Sequence, residues 1–225
     1  EGPPPLFVQM AKAEAVLHHA GVAYDFENVN IMDMPDWFVE ISPARRIPVL
    51  RDKTIATEGI PGTIPDSTAI AIFLNDKFGL NLYGDTAFDK GRAAWYEEYA
   101  DTVLAMHVGL DIFRPIIFSI FQGKAPDMDT VRTAWAEKFP KLFDYLEASL
   151  DGGEYFVGGK YSIADISVAT HMAQIELVVG LPDAAKWPAL VKHTEAMKTK
   201  PGFVENLATC GSILPNILPE KLDPT

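Results

Sequence analysis

Hydrophobic residues in the first part of the chain follow two periods, one typical of helices and one typical of strands. Spacings of three and four predict helices over 9–20 and 67–78, each followed by a glycine that can end it. The segments between them are predicted as a strand over 22–31, a short helix over 35–41, a strand over 47–50 and a hairpin over 51–65. This order of elements predicts an α/β N-terminal half.

From residue 88 onward the pattern becomes helical almost throughout, after a linker over 80–87. Pro115 is expected to bend or end the first long helix. The apolar stripe of that helix comprises Tyr99, Val103, Met106, Leu110, Phe113 and Ile117. A second long helix is predicted over 128–150, and the S-x-x-D capping box of Ser162 and Asp165 predicts the start of another. The second half is therefore predicted to be all-α.

Composition and net charge indicate which classes of molecule the protein is expected to bind. With 225 residues, 48% of them hydrophobic and 22% charged, the chain has the composition of a globular protein with a sizeable core. Its formal net charge of −12 argues against nucleic acid and anionic membranes as partners. An anionic ligand would need a local positive patch, and Arg45 and Arg46 are the only adjacent arginine pair.

Motifs for metals, disulfides and targeting are missing from the sequence. Cys210 is the only cysteine, so neither a disulfide nor a cysteine-based metal site is expected within one chain. No metal-ligand spacing, phosphate-binding loop or dinucleotide-binding glycine pattern is present. Residues 1–5 lack the basic start of a signal peptide, and no apolar run reaches the ~18 residues of a membrane span. A cytoplasmic protein without a bound metal is the expectation.

Two short motifs carry the candidate chemistry. Pro48 cannot donate to a sheet, so it predicts a strand start or a cis bond in a tight turn. It leaves the backbone of Ile47 free to pair with something other than a neighbouring strand. Asp66 and Ser67 open the helix over 67–78, where a carboxylate, a hydroxyl and free amides form an anion site. Together the two motifs could hold a small extended peptide that bears a carboxylate and an amine.

These motifs resemble the glutathione-binding half of the glutathione transferase superfamily, and the capping box resembles the element that opens the core helix of its C-terminal domains. The resemblance covers nearly the whole chain. It implies a thioredoxin-like domain over 1–79, a linker over 80–87 and an all-helical domain over 88–225. It also implies a homodimer, with the first domain of one subunit packed on the helical domain of the other.

The resemblance assigns roles to five residues. Ile47, beside a cis-Pro48, would pair with the cysteinyl unit of glutathione. Asp66 and Ser67 would bind the γ-glutamyl end. Arg46 stands where the family often has a Lys or Gln that reaches the glycyl carboxylate. Glutathione would be the co-substrate, without a metal.

The catalytic residue stays unknown. In the family, the turn between the first strand and the first helix carries the catalytic hydroxyl or thiol, yet no Ser, Thr, Cys or Tyr precedes Tyr24. Pro4, Pro5 and Leu6 stand roughly where that residue would fall. Because three consecutive prolines disfavour a central strand, either the first strand is very short or residues are missing before Glu1.

Histidines and one helix face supply the remaining candidates. His18 and His19 lie beside the expected place of thiol activation, and His107 could act as a base near neutral pH, although a histidine on a helix is more often an ordinary surface or core residue. Met106 and Phe113 are the best matches to the family's acceptor site, and an interhelical core stripe is the alternative.

The function that these expectations favour is conjugation of glutathione to a small hydrophobic electrophile. A narrower alternative is glutathione-dependent cleavage of aryl ethers of the β-etherase type, which the long loop before Asp66 favours. A third alternative is a non-catalytic glutathione-binding or scaffold protein, which the lack of a thiol-activating residue favours.

Overall fold

The computed structural model describes residues 8–30 and 33–225, with side chains from Met10 onward. The expectation of a very short or missing first strand, and the positions of Pro4, Pro5 and Leu6, lie outside the described residues.

Among its described residues, the N-terminal half contains three helices and a two-stranded antiparallel sheet. In chain order these are α1 (Val8–His19), α2 (Asp36–Ile41), β1 (Val49–Arg51), β2 (Thr63–Pro65) and α3 (Ser67–Phe78). The predicted hairpin is present, with Leu50 opposite Ile64. Helix α1 packs on α3, and both strands contact α3. The predicted α/β half is confirmed, and α3 ends where Gly79 adopts the left-handed conformation.

The C-terminal half is all-helical, as predicted. It comprises α4 (Ala87–Phe121), α5 (Met128–Glu137), α6 (Phe139–Leu150), α7 (Ile163–Val179), α8 (Pro188–Lys198) and α9 (Phe203–Ile213), followed by a 3₁₀ turn (Leu214–Asn216). Helix α7 is almost wholly buried and forms the centre of this half. It packs against α4 and α8, and also against α1, so the two halves share one hydrophobic core.

The buried stripe of α4 differs from the predicted one. Six of its buried residues recur every fourth position, namely Tyr96, Ala100, Leu104, Val108, Ile112 and Ile116, and the predicted Ile117 is also buried. In a regular α-helix a four-residue step turns the stripe by about 40° each time. The wider turns of two π-helical stretches, Ala100–Leu104 and Val108–Phe118, offset this rotation. The prediction assumed the α-helical period, so it named Met106 and Leu110, which are exposed.

Three other expectations about elements need correction. Of the two outcomes expected at Pro115, a bend or an end, the end is wrong, because helix α4 continues to Phe121. The segment predicted as one helix over 128–150 is divided into α5 and α6 at Lys138, because Pro140 cannot donate a helical hydrogen bond. The residues 22–30 form no strand, since no described strand lies beside them to pair with; Ile31 is outside the described residues.

Within the described residues, α4 is the one helix long and apolar enough, by length and composition, to cross a membrane. This corrects the expectation that no apolar stretch reaches that length. Length and composition alone are weak evidence for a span, because the core helix of a soluble protein passes the same test. Helix α4 packs along α7 and α5, and its stripe from Tyr96 to Ile116 lies in the shared core.

Gly202, which precedes α9, is the glycine most tightly constrained by its surroundings. Its φ is 87°, and an added Cβ would lie 2.6 Å from the Cα of Ala15 on α1. We expect Gly202→Ala to lower the free energy of unfolding in urea by about 2 kcal/mol or more, because the backbone of α1 would have to move. Gly211→Ala is the matched control: Gly211 lies inside α9 with open space around it, so alanine should be neutral or stabilise by up to ~1 kcal/mol. Equal effects of the two changes would contradict this account.

Candidate functional site

The hairpin brings the two sequence motifs together. The Ile47–Pro48 peptide bond is cis. The backbone N–H of Asp66 donates to the carbonyl oxygen of Pro48 at 3.2 Å, one step beyond the Val49–Pro65 pair of the sheet. The start of β1 and the start of α3 therefore meet, although they are far apart in sequence.

Asp66 is the N-cap of α3 and holds an unusual backbone conformation. Its carboxylate Oδ1 accepts hydrogen bonds from the N–H groups of Thr68 (2.9 Å) and Ala69 (3.3 Å). Its φ is 85°, a region that favours glycine, and the bond to Pro48 helps to hold it there. Strained residues of this kind concentrate at functional sites. The conformation turns the carboxylate onto the first turn of the helix.

Arg46 lies beside Asp66. One guanidinium nitrogen, Nη1, donates to Asp66 Oδ2 at 3.2 Å, and the Arg46 side chain is 69% exposed. The backbone of Arg46 is fixed by Ser42, whose hydroxyl oxygen accepts from the Arg46 N–H (3.1 Å) and whose hydroxyl donates to the Arg46 carbonyl oxygen (2.9 Å). An exposed guanidinium on a fixed backbone can still offer donors to an anion.

Ser67 completes the cluster. It is buried, and among the described residues no group hydrogen-bonds to its hydroxyl. The hydroxyl stands at the N-terminus of α3, where the helix dipole favours negative charge. The cluster combines acceptors and donors: the carboxylate of Asp66, the free hydroxyl of Ser67 and the guanidinium of Arg46. Such a set can bind the ammonium and the carboxylate of an amino-acid group at the same time.

Ile47 and Pro48 line a cavity of about 570 Å³, whereas Arg46, Asp66 and Ser67 do not. The rest of its wall comes from α1, α2, α3 and the segments 22–29 and 49–54. Tyr24, the first hydroxyl-bearing side chain in the sequence, lies on this wall and donates to Glu14 at 3.2 Å. Burial, and then Glu14, raise the pKa of Tyr24 to about 12. Its phenol therefore keeps its proton at neutral pH and uses it in the hydrogen bond to Glu14.

The proposed acceptor residues have different environments. Met106 is 51% exposed, whereas Phe113 is half-buried against the shared core. No hydrogen bond or ring contact links either residue to the Asp66 cluster within the described chain. Their assignment to an acceptor site stays a prediction.

The histidine candidates are engaged elsewhere. His107 Nδ1 lies 2.7 Å from Asp111 Oδ2, and Lys138 donates to the other oxygen of Asp111 at 2.9 Å. Burial raises the pKa of Asp111, but these two hydrogen bonds outweigh it and hold the pKa below its usual value. His18 lies 3.9 Å from Glu205 of α9, and the ring of His19 packs on Tyr161.

Cys210 is buried in α9, away from the cluster. Burial raises the pKa of its thiol to about 11, so it carries almost no thiolate at neutral pH. Its burial and its protonated thiol argue against a role for Cys210 in thiol exchange. Among the described residues, no group of three or more His, Cys, Asp or Glu side chains could hold a metal ion.

Sequence reasoning missed a buried charge cluster behind the first turn of α3. Lys12 of α1 is 1% exposed and contacts Thr68, Glu97 and Asp101. The only sequence signals were a lysine within the alanine-rich run of α1 and two acidic residues four apart on α4. Neither signal indicates a partner on its own, because the contacts join three helices that are distant in sequence.

Comparisons with protein families match both halves of the chain. Residues 10–77 match the family model described as the glutathione S-transferase N-terminal domain, and residues 110–209 match the one for the glutathione S-transferase C-terminal domain. The recognition of the family and the fold class from the sequence is thereby confirmed, and the subclass stays open.

Individual relatives are distant. Glutathione S-transferase D6 of Drosophila melanogaster is 27% identical over 221 residues, which is 92% of this chain and 89% of that protein. Glutathione S-transferase F10 of Arabidopsis thaliana is 28% identical over 188 residues, or 78% of this chain and 79% of that protein. A crystal structure of a glutathione S-transferase from Rhodospirillum rubrum superimposes with a TM-score of 0.78 at 20% identity, covering 90% of this chain and 88% of that one.

Proposed function

Because this chain belongs to the glutathione transferase superfamily, we propose that it conjugates glutathione to an electrophilic small molecule. The observation that carries the proposal is the Asp66 cluster, where Arg46 and Ser67 flank the capping carboxylate of Asp66 and the Asp66 N–H donates to the Pro48 carbonyl oxygen. Relatives named glutathione S-transferase support the same general function at low identity.

In this proposal the cluster binds the γ-glutamyl end of glutathione. Asp66 accepts from the ammonium, and the hydroxyl of Ser67 donates to the α-carboxylate. Ile47 pairs through its backbone with the cysteinyl unit beside Pro48, and the exposed guanidinium of Arg46 meets a carboxylate of the tripeptide. The local positive charge of Arg46 offsets the acidic background of the chain.

The thiol of bound glutathione would act as the nucleophile in its thiolate form. The thiolate forms a bond to the electrophilic carbon, and the leaving group departs with the electron pair. We propose that Met106 and Phe113 of α4 line the acceptor side, with residues 1–79 binding glutathione, 80–87 as linker and 88–225 carrying the acceptor site. No thiol-activating residue is assigned.

We also propose a homodimer in the cytoplasm, as the family resemblance implies. Ile55 and Ile60 of the hairpin loop and Phe88 of α4 are large apolar side chains with most of their surface exposed. Contact between two copies would cover such side chains.

Calorimetric titration of glutathione tests the proposal. We expect saturable binding that Ser67→Ala weakens at least about tenfold, because a hydrogen bond to a charged ligand group is lost. Arg46→Ala should weaken binding too, whereas Arg45→Ala, the neighbouring exposed arginine, is the matched control and should not. Absence of binding at millimolar glutathione, or equal affinity in all variants, would overturn the assignment.

Two alternatives are separated by a second assay on the same samples. Turnover of a chlorodinitrobenzene-type electrophile supports conjugation, and cleavage of a β-aryl ether would support the etherase alternative, which the long hairpin loop before Asp66 favours. Binding without either activity would identify a glutathione-binding or scaffold protein.

A further inference from the structure

A buried lysine stands behind the candidate glutathione site. Lys12 Nζ, on α1, donates to Thr68 Oγ1 (2.9 Å), to Glu97 Oε1 (3.0 Å) and to Asp101 Oδ2. An ammonium group has three donors, so each of them has an acceptor. The cluster joins α1 and α3 of the N-terminal half to α4 of the helical half.

Further hydrogen bonds fix the side chains that contact Lys12. The second carboxylate oxygen of Glu97 accepts from the hydroxyl of Tyr83 at 2.9 Å. Asp101 Oδ2 also accepts from the Thr68 hydroxyl at 3.1 Å. The Thr68 hydroxyl therefore accepts from Lys12 and donates to Asp101, so that its orientation is fixed on both sides.

Thr68 connects this cluster to the ligand site. Its backbone N–H donates to Asp66 Oδ1 at 2.9 Å, and Asp66 in turn bonds to Arg46. The first turn of α3 is thus held by the Asp66 cap at the backbone and by Lys12 at the side chain of Thr68. Ser67, whose hydroxyl makes no bond within the described chain, lies between Asp66 and Thr68.

A contribution to folding stability alone does not explain why this charge cluster is buried. Lys12 and Glu97 are almost fully buried, whereas Asp101 is partly exposed. Removing such ions from water costs several kcal/mol per ion, and well-packed apolar residues often serve a core equally well or better. A fully bonded charge cluster does fix geometry, and ligand-binding groups gain affinity when they are held in place before the ligand arrives.

We propose that Lys12 is a positioning residue for glutathione: through Thr68 it fixes the first turn of α3 so that Asp66 and Ser67 are oriented for the γ-glutamyl group. This inference rests on the proposed function and adds a residue that does not touch the ligand. Lys12 acts through the Thr68 hydroxyl, and the ion pairs with Glu97 and Asp101 hold the ammonium in place.

The decisive variants are at Thr68, because they leave Lys12, Glu97 and Asp101 in place. Thr68→Val removes the hydroxyl, and Thr68→Ser keeps it. By calorimetry we expect glutathione affinity to fall about tenfold in Thr68→Val and to stay within about threefold of wild type in Thr68→Ser. Affinity should follow the presence of the hydroxyl and not the melting temperatures, which are measured in parallel. A purely structural role would make affinity follow stability.

Lys12 itself supplies the second pair of variants. Lys12→Met should lower both the melting temperature and glutathione affinity, and Lys12→Arg should restore most of the affinity by keeping a buried cation. If wild type binds glutathione and folded Thr68→Val binds it equally well, the positioning role is wrong while the proposed function stands. If wild type does not bind glutathione at all, both are overturned.

Discussion

Asp165→Asn should be among the most destabilising single substitutions in this chain, with an expected loss of about 3 kcal/mol in the free energy of unfolding. The Asp165 carboxylate is fully buried and accepts four hydrogen bonds. Oδ2 accepts from the N–H of Ser162 (2.8 Å) and from its hydroxyl (2.7 Å). Oδ1 accepts from the N–H of Phe156 and from Nε2 of His193, both at 3.0 Å.

The loss arises because an amide nitrogen cannot accept a hydrogen bond. Whichever way the asparagine side chain of the variant is oriented, two of the four donors would face an NH₂ group and stay buried without an acceptor. The pairing with His193 would also weaken, since the carboxylate charge is gone. Urea unfolding followed by circular dichroism measures the effect.

Two controls separate this explanation from the ordinary cost of altering a helix cap. Asp127 caps α5 at the surface and accepts from Thr130 in the same way, so Asp127→Asn keeps a capping side chain and should cost less than about 0.5 kcal/mol. Ser162→Ala removes only one of the four donors and should cost about 1 kcal/mol. If Asp165→Asn cost no more than Asp127→Asn, the four-donor account would be wrong.

The Asp165 network also shows which contacts can be predicted from the sequence and which cannot. The spacing of Ser162 and Asp165 predicted the capping box and the start of α7, because both residues act within one turn. The contribution of His193 could not be predicted, since it comes from α8 and depends on how that helix packs. The sequence therefore indicated the local cap but not the buried hydrogen bond from His193, which makes the site far more sensitive to substitution.

In the candidate ligand site, too, the sequence predicted the local features but not the contacts between distant segments. Pro48 and the pair Asp66-Ser67 are short motifs with local geometry, so the sequence was enough to select them. The role of Lys12 depends on the packing of three helices, and the true stripe of α4 depends on π-helical turns that the sequence pattern did not indicate. Local backbone geometry was predictable here, whereas contacts between distant helices were not.

Acidification should destabilise the protein through His171, the second large effect that we expect. His171 lies on α7 with both ring nitrogens buried, and neither nitrogen has a hydrogen-bond partner among the described residues. Burial, and to a lesser degree the nearby charge of Lys12, lower its pKa from 6.5 to about 3. The folded protein therefore keeps His171 neutral at a pH where the unfolded chain takes up a proton.

The direction of the change in stability with pH follows from proton uptake by the unfolded state. Between pH 6.5 and 3 the unfolded state binds one more proton than the folded state, so stability is complete above this range and falls as the pH is lowered through it. The slope is about 1.4 kcal/mol per pH unit, which gives a loss of about 2 kcal/mol at pH 5 from this residue. Carboxylates with lowered pKa values, such as Asp111, add to the acid dependence of wild type.

A His171→Leu variant isolates the histidine, because the other titrating groups are the same in both proteins and cancel in the difference. We expect the variant to lose about 2 kcal/mol less than wild type between pH 7 and pH 5, whatever its stability at pH 7. Urea unfolding at the two pH values gives the difference. NMR titration of the ring protons, assigned by comparison with the variant, should show His171 still neutral at pH 5. An equal acid loss in both proteins, or a ring that titrates near pH 6.5, would mean that water or another group satisfies the His171 nitrogens.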